Sequence, residues 1–288
     1  MSVIRSIGAG IGNTFRKRRI LFYLWAVNVA FALAVAFPIL ALIQKELGHS
    51  LLGSGVRVFD ITWLGEMVFK YGSALPAIAV GMALPALLFV LIYIFLNGGI
   101  IGRLLDREGP VTLAAFLADC GRYAGRFFRL FLISLLFYAV LFGGLLSLLS
   151  AGLKPWIESA RTEWPLLILS NVRFLIALLL LSIVHMVFDY ARIVAVADEE
   201  RRAFRALRLA LGFLKKRFFR AWGLYLLVVL AILAGSALDL VVCGWIGDAS
   251  TLALVLSLFW MQIMIVYRIW TKVLFFSAQA EFYRIHPY

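Results

Sequence analysis

Three polar side chains near the end of a long apolar stretch share the spacing of one helix face. His185, Asp189 and Arg192 lie at i, i+4 and i+7, so a helix would bring them within reach of one another. Polar groups at membrane depth are costly to bury and are candidates for function. Two interpretations stay open. The three form a ligand or lipid-headgroup site, or Asp189 and Arg192 form an ion pair that caps the helix at the membrane interface.

Other polar residues lie in apolar stretches that would cross a membrane in the same direction. They are Asn97, Gln262, Tyr267 and Arg268. Because these stretches would all return to the same side, we expect their polar side chains to converge with the first three into one inward-facing site. Such a site would suit a transporter of a small solute or a lipid.

Motifs of catalysis, metal binding and cofactor binding do not occur in the sequence. There is no HExxH, no phosphate-binding loop and no nucleophile elbow. The glycines of "GAGIG" at 8–12 follow no strand and predict a flexible segment. Cys120 and Cys243 have no metal-binding spacing and are expected to be free thiols. We therefore expect no catalytic residue, no metal and no cofactor, and an intramembrane enzyme is the least favoured class.

The elements that must position these residues are membrane helices. Of the 288 residues, 64% are hydrophobic and 15% are charged, with a mean hydropathy of +0.99. Soluble domains are about 45–50% apolar and about 25% charged. Six stretches are long enough to cross a bilayer as helices: 20–43, 71–102, 130–153, 164–188, 221–247 and 249–267. The predicted fold class is all-α, a polytopic membrane bundle of six transmembrane helices built from helical hairpins, in a single domain.

The basic residues predict the orientation of this bundle. With the N-terminus inside, 22 of the 28 Lys and Arg residues are cytoplasmic, 5 are outside and Arg173 is in the fourth span. This bias predicts that both termini are cytoplasmic, and it explains the net charge of +13 without nucleic acid as a partner. A signal peptide cleaved near "AVA" at 34–36 is disfavoured, because the apolar run continues past it. Outside, residues 44–72 predict a short interfacial helix.

The fourth span has two readings because it contains Pro165 and Arg173. One is a helix over 164–188, which would bury Arg173 at high cost. The favoured one begins near Asn171 as N-cap, lets Arg173 reach the outer headgroups, and continues to about Ala197.

The phrase Arg-Phe-Phe-Arg occurs twice, at 126–129 and 217–220, each time between an amphipathic stretch and a span. A helix with an apolar and a basic face lies in the membrane interface. Each phrase is therefore predicted to be an elbow, where an interfacial helix on the cytoplasmic side turns into a crossing helix. The elbow residues are Arg126, Phe127, Phe128, Arg129, Arg217, Phe218, Phe219 and Arg220. Their arginines either bind anionic headgroups, at about 1 kcal/mol each, or only anchor the helix ends and set the topology.

The N-terminus resembles a third, shorter copy of this arrangement. Ile4, Ile7, Ile11 and Phe15 recur at helical spacing, and "RKRR" at 16–19 precedes the first span. The chain is therefore predicted to consist of three hairpin units, at 1–102, 103–197 and 198–288.

Together with the elbows, "NGG" at 97–99 and "DYAR" at 189–192 carry a resemblance to known proteins. The layout resembles uncharacterised bacterial six-span membrane families, among them those similar to the membrane domain attached to some glycerophosphodiester phosphodiesterases. The resemblance implies a bacterial cytoplasmic membrane and no assigned chemistry. The phosphodiesterase catalytic domain is absent from these residues, so its activity does not carry over.

These observations favour a non-enzymatic, multi-pass inner-membrane protein that handles or organises lipid or supports a larger assembly. The expected partners are membrane lipids, anionic at the cytoplasmic face. A protein partner or a homo-oligomer stays open.

Overall fold

Helices make up the described part of the chain. The computed structural model describes residues 2–47, 69, 75–106, 109–158, 163–246 and 250–285, and none of these residues lies in a strand. The helices are α1 Ser2–Arg16, α2 Arg19–Leu47, α3 Leu75–Leu105, α4 Leu113–Ala139, α5 Leu146–Glu158, α6 Glu163–Ala197, α7 Ala203–Ile246 and α8 Thr251–Ile285. A π-helix, Val140–Leu145, joins α4 to α5. The predicted all-α class is confirmed, whereas the interfacial helix expected within 44–72 lies outside the described residues.

Six helical segments of the described chain are long and apolar enough to cross a membrane. They are Arg19–Phe37, Met82–Leu105, Leu113–Gly152, Leu167–Ala197, Ala203–Ile246 and Thr251–Ile285. The protein is therefore a multi-pass membrane protein. Several of these segments exceed the roughly 20 residues that span the hydrocarbon, because amphipathic stretches continue into the crossing helices.

The start of the fourth span differs from the favoured prediction. Helix α6 begins at Glu163 rather than near Asn171, and the Asn171 side chain donates to the Leu167 carbonyl oxygen (2.7 Å) from inside the helix. Pro165 is tolerated because it lies in the first turn, where the backbone N–H groups have no partner within the helix. The predicted end at Ala197 is confirmed.

The hydrophobic core gathers at one end of the bundle. There α1 packs on α8 and contacts α7 and the end of α3, and residues of α4 and α6 belong to the same core; we call this the basic end. Its largest fully buried side chains include Phe116, Phe127, Phe188, Phe213 and Phe282. Away from this end, large apolar side chains are exposed along the spans, as expected where lipid chains replace water.

Helices α3 and α4 approach closely over a row of glycines. A Cβ at Gly99 would lie 2.8 Å from the carbonyl oxygen and the ring of Phe116, and one at Gly102 would lie 2.8 Å from the Asp119 carboxylate. Small residues are how membrane helices bring their backbones together. The "NGG" motif therefore has a packing role.

The three predicted elbows have different outcomes. Helix α7 leaves helical geometry at Arg217 (φ −138°, ψ 24°), so a break lies at the second phrase as predicted, whereas the interfacial position of the segment before it stays a prediction. Residues 17 and 18 form a turn between α1 and α2, as the N-terminal copy predicts. The prediction of an elbow at 126–129 is wrong, because α4 continues through these residues without a break. Thr112 caps α4, and Cys120 is fully buried against α3, so this amphipathic stretch packs in the bundle.

Helix α1 buries its small and polar face rather than its apolar stripe. Ser6 and Thr14 are fully buried, whereas Ile4 and Phe15 are 75% and 61% exposed. Gly10 lies against the backbone of Ala278 in α8, where a Cβ would come within 3.0 Å. The predicted flexible "GAGIG" segment is therefore wrong, because residues 8–12 lie within α1 and Gly10 packs on α8. Ile4 and Phe15 of the predicted stripe face outward, as in a helix that lies in the membrane interface, whereas Ile7 packs against the core.

The glycine row makes a testable contrast on two neighbouring helices. Gly99→Ala forces a methyl group into the α3–α4 contact and should lower stability by about 1–3 kcal/mol. Gly121→Ala on α4 is the matched control, because nothing lies within 4 Å of its Cβ position. It should raise stability by about 0.5–1 kcal/mol through helix propensity. Thermal unfolding in detergent measures both, and equal melting temperatures would contradict the packing role.

Candidate functional site

The residues first singled out on α6 form one cluster. Asp189 is 1% exposed, and Arg192 Nη1 donates to its Oδ1 over 2.7 Å. His185 Nε2 lies 3.6 Å from Asp189 Oδ2. The Oδ2 atom is buried and receives no hydrogen bond from a described residue. Asp189 is therefore hydrogen-bonded on one oxygen only.

His185 connects this cluster to the bundle surface. Its Nδ1 lies 3.3 Å from the Tyr138 hydroxyl of α4, and its ring meets the Tyr225 ring of α7 edge-on, with centroids 6.4 Å apart. The histidine side chain is 47% exposed. Three helices thus surround the open side of Asp189.

On the opposite side, α8 contributes a lysine that the sequence reading assigned only to the cytoplasmic charge. The Lys272 ammonium lies 3.8 Å from the centroid of the Tyr93 ring and interacts electrostatically with Asp189 and Arg192. Asn28 Nδ2 of α2 donates to the Tyr93 hydroxyl over 2.7 Å. Lys272, Tyr93 and Asn28 extend the polar cluster across the bundle. The one sequence feature that could have indicated a role for Lys272 is the continuation of α8 as a helix beyond Arg268.

Asn97 lies one turn beyond Tyr93 on the same face of α3. Its Oδ1 is buried without a hydrogen-bond partner among the described residues. The structure therefore places Asn97 beside the cluster without bonding it to Asp189.

The predicted site residues of α8 contact other neighbours. Gln262 accepts from Trp25 Nε1 (3.0 Å), and the Tyr267 hydroxyl donates to the Ala231 carbonyl (2.5 Å). Arg268 lies 3.8 Å from Asp239 and is 66% exposed. The prediction that Gln262, Tyr267 and Arg268 converge with the polar residues of α6 is wrong. Successive residues of a helix are rotated by about 100° about its axis, so these side chains point toward other neighbours. They attach α8 to α2 and α7.

The arginines of the first Arg-Phe-Phe-Arg phrase bracket the connection between α6 and α7. Arg126 donates to the Ala195 carbonyl (2.9 Å) and lies 3.4 Å from Glu199, which also pairs with Arg122 at 2.8 Å. Arg129 Nη1 donates to the Arg201 carbonyl at 3.4 Å. Arg126 and Arg129 therefore both contact other groups of the protein.

Beside this connection, α4 and α7 form a groove of about 650 Å³. We call it the arginine groove, and it is lined by Arg129, Leu132, Ile133, Arg202, Ala203, Phe204, Arg205 and Arg208. Its lining holds four guanidinium groups and no carboxylate. A second cavity of about 300 Å³ shares Arg129 and lies against Glu199.

One acidic residue flanks the groove outside its lining. Glu200 accepts from the Arg202 backbone N–H (3.0 Å) and pairs with Arg205 at 3.1 Å. The Arg202 N–H, followed by the charge of Arg205, lowers the pKa of Glu200. It is therefore ionised and offsets part of the positive charge.

The other phrase residues are distributed between core and surface. Phe127 is buried, whereas Phe128 and Phe219 are exposed. Phe218 stacks on Trp222 (ring centroids 6.3 Å), and the Arg217 guanidinium lies 5.4 Å from the Phe213 ring centroid. Arg220 is exposed. The second phrase therefore presents Phe219 and Arg220 outward at the break in α7.

Lys17 attaches α1 to the end of α3. Its ammonium donates to the carbonyl oxygens of Arg103 and Asp106, groups that have no helical N–H partner. Asn13 Nδ2 donates to the Leu104 carbonyl (3.1 Å) and to Ser277 Oγ of α8 (3.3 Å). Burial lowers the pKa of Lys17 to about 8.

Among the residues that the structure describes, no group of three metal-ligating side chains comes together. Comparisons of the chain with protein-family models, curated proteins and solved structures give no match. The resemblance to bacterial six-span families stays a prediction.

Lys17 gives a pH-dependent prediction. Its pKa is about 8 in the folded protein and 10.5 without burial, so the unfolded state binds more protons between these values. The contribution of Lys17 to stability therefore rises with pH over that window. The melting temperature of the native protein, relative to Lys17→Met, should increase from pH 7 to pH 10. Lys215→Met removes an exposed lysine as control. A Lys17→Met difference that does not change with pH would refute this account.

Proposed function

We propose that this multi-pass protein is non-enzymatic and binds anionic phospholipid in the arginine groove, at the cytoplasmic face of a bacterial inner membrane. The observation that carries the proposal is the lining of the groove. Guanidinium groups from α4, from α7 and from the connection between α6 and α7 lie beside Leu132, Ile133 and Phe204. A phospholipid offers the same two chemistries, a phosphate and a hydrocarbon chain.

The fit of the groove to the phosphate of a phospholipid depends on charge. Guanidinium groups bind phosphate through paired N–H donors and stay protonated in proteins. Arg205 is 67% exposed and Arg208 is exposed, so both can reach a headgroup. Glu200 offsets one of the four charges, which leaves the groove positive.

The fit of the groove to the hydrocarbon chain of a phospholipid depends on exposed apolar side chains. Leu132 is 49% exposed and Phe204 is 74% exposed. The volume lies within the roughly 300–1,000 Å³ typical of small-molecule sites. Because α7 breaks at Arg217, its preceding segment is free to follow the membrane surface while the rest crosses. This break supports a position of the groove where headgroups and acyl chains meet.

Transport of a small solute or lipid is a second candidate function. It is favoured by the ionisable groups of Asp189, Arg192 and Lys272, which lie inside the six-helix bundle. Such groups mark substrate and ion pathways in membrane proteins.

The lipid proposal is tested by removing groove charges. The triple variant Arg129→Gln, Arg205→Gln, Arg208→Gln should lose about 3 kcal/mol of binding, roughly a hundredfold in affinity. Native mass spectrometry of the purified protein with phosphatidylglycerol, and with phosphatidylcholine for comparison, measures the bound lipid.

The control triple is Arg5→Gln, Lys215→Gln, Lys216→Gln, which removes the same charge from exposed positions outside the groove. It should retain phosphatidylglycerol. Competition by inorganic phosphate distinguishes a headgroup site from a site for free phosphate. Equal lipid retention by both triples, or no preference for phosphatidylglycerol, would overturn the proposal.

A further inference from the structure

The smaller cavity that shares Arg129 with the arginine groove continues the groove along α4. We call it the Glu199 cavity, and it is lined by Arg122, Gly125, Arg126, Arg129, Glu199 and Arg201. Arg122, Arg126 and Arg129 are spaced at i, i+4 and i+7, so they share one face of α4. Ile133 of the groove extends this face by one further turn. The two cavities therefore follow one another along the same face of one helix.

The linings of the two cavities differ in their apolar content. The groove has Leu132, Ile133 and Phe204 beside its arginines. The described residues that line the Glu199 cavity are four arginines, one glutamate and one glycine. This cavity therefore suits the polar part of a ligand rather than a hydrocarbon chain. Along α4 the order is apolar side chains, the shared Arg129, and then a polar cavity. A lipid has the same order when its headgroup extends beyond the first phosphate.

The Glu199 cavity has more positive charge than its carboxylate neutralises. Among the described residues of its lining, one carboxylate faces four guanidinium groups. Arg129 and Arg201 are both exposed, so their charges are accessible to a ligand. Guanidinium groups bind phosphate through paired N–H donors. A terminal phosphate carries a charge of about −1.5 to −2 at pH 7, which suits this excess of positive charge.

Glu199 shows that an oxyanion fits into this cavity. Its two carboxylate oxygens lie 2.8 Å from Arg122 and 3.4 Å from Arg126. The residue follows the end of α6 with a φ of 53°, the left-handed conformation that glycine usually adopts at this place. A glutamate is strained in that conformation. The chain nevertheless has a carboxylate there, and that carboxylate contacts the arginines of α4.

We propose that the lipid of the arginine groove carries a second phosphate at the end of its headgroup, and that this phosphate binds in the Glu199 cavity. The inference rests on the proposed function, because the first phosphate and the acyl chains occupy the groove. Arg129 lines both cavities and lies between the two phosphates. Arg122 of α4 and Arg201 of the connection bind the second phosphate. The ligand is therefore a phospholipid with a phosphorylated headgroup.

The test compares phosphatidylglycerol with phosphatidylglycerol phosphate, which has the same acyl chains and one additional terminal phosphate. Native mass spectrometry should show that the native protein binds the phosphorylated lipid about thirtyfold more tightly, if Arg122 and Arg201 each contribute as arginines near a membrane surface do. Arg122→Gln with Arg201→Gln should abolish this preference and retain phosphatidylglycerol. Arg201→Gln alone leaves the pair of Arg122 and Glu199 in place and should reduce the preference about fivefold.

Three further measurements separate a second phosphate site from general electrostatic attraction. Phosphatidic acid has one phosphate of similar charge next to its acyl chains, and its binding should not change in Arg201→Gln. Lys215→Gln with Lys216→Gln removes the same charge as the double variant from exposed positions and should keep the preference. Glu199→Gln removes the carboxylate that competes with the second phosphate. It should therefore strengthen binding of phosphatidylglycerol phosphate more than that of phosphatidylglycerol.

The outcomes distinguish this inference from the proposed function. If neither lipid binds, both proposals fail. If phosphatidylglycerol binds in the groove but the phosphorylated lipid binds no more tightly, or if its preference persists in Arg122→Gln with Arg201→Gln, only the inference fails. Excess inorganic phosphate should leave the preference in place, because attachment to the lipid gives the second phosphate a high effective concentration. Loss of the preference in inorganic phosphate would assign the cavity to free phosphate and overturn the inference.

Discussion

The close approach of α3 and α4 is the constraint on which the basic end depends. Where glycines replace side chains on α3, Arg103 comes within 2.5 Å of Asp119, and the last carbonyls of α3 are left facing α1. Lys17 and Asn13 satisfy those carbonyls, and Asn13 also reaches α8. The close packing of α3 and α4 thus determines where α1 and α8 attach. Because each contact buries polar groups, removing one partner leaves the other unpaired at a high cost.

Two kinds of positive site follow from this arrangement, and they differ in solvation. In the arginine groove the guanidinium groups are exposed, so their charge is available to a ligand at little cost. Around Asp189, cations lie among packed helices, and their charge must be balanced within a few ångströms. The first environment suits recognition of a charged molecule.

Sequence was sufficient for the features that depend on local pattern. Apolar length predicted the six spans, and the change from amphipathic to apolar sequence predicted the break at Arg217. The same phrase at 126–129 gave a wrong prediction, because only the tertiary structure shows that Cys120 packs against Gly99 and that α4 continues through the phrase. On α6, spacing correctly grouped His185, Asp189 and Arg192. Their partners Lys272, Tyr93 and Asn28 escaped prediction, because helix neighbours and rotations are set by packing across the bundle.

The uneven packing of the spans has a mechanical consequence. The buried core lies at the basic end, whereas the far halves of α4, α6 and α7 expose most of their apolar side chains. A helix bundle adapts to bilayer thickness by tilting, at a cost of fractions of a kcal/mol per ångström. Such tilting is resisted where side chains interlock and is easy where lipid is the only neighbour. We therefore expect the described part of the bundle to adapt to a thinner or thicker bilayer mainly in the half that lies away from the basic end.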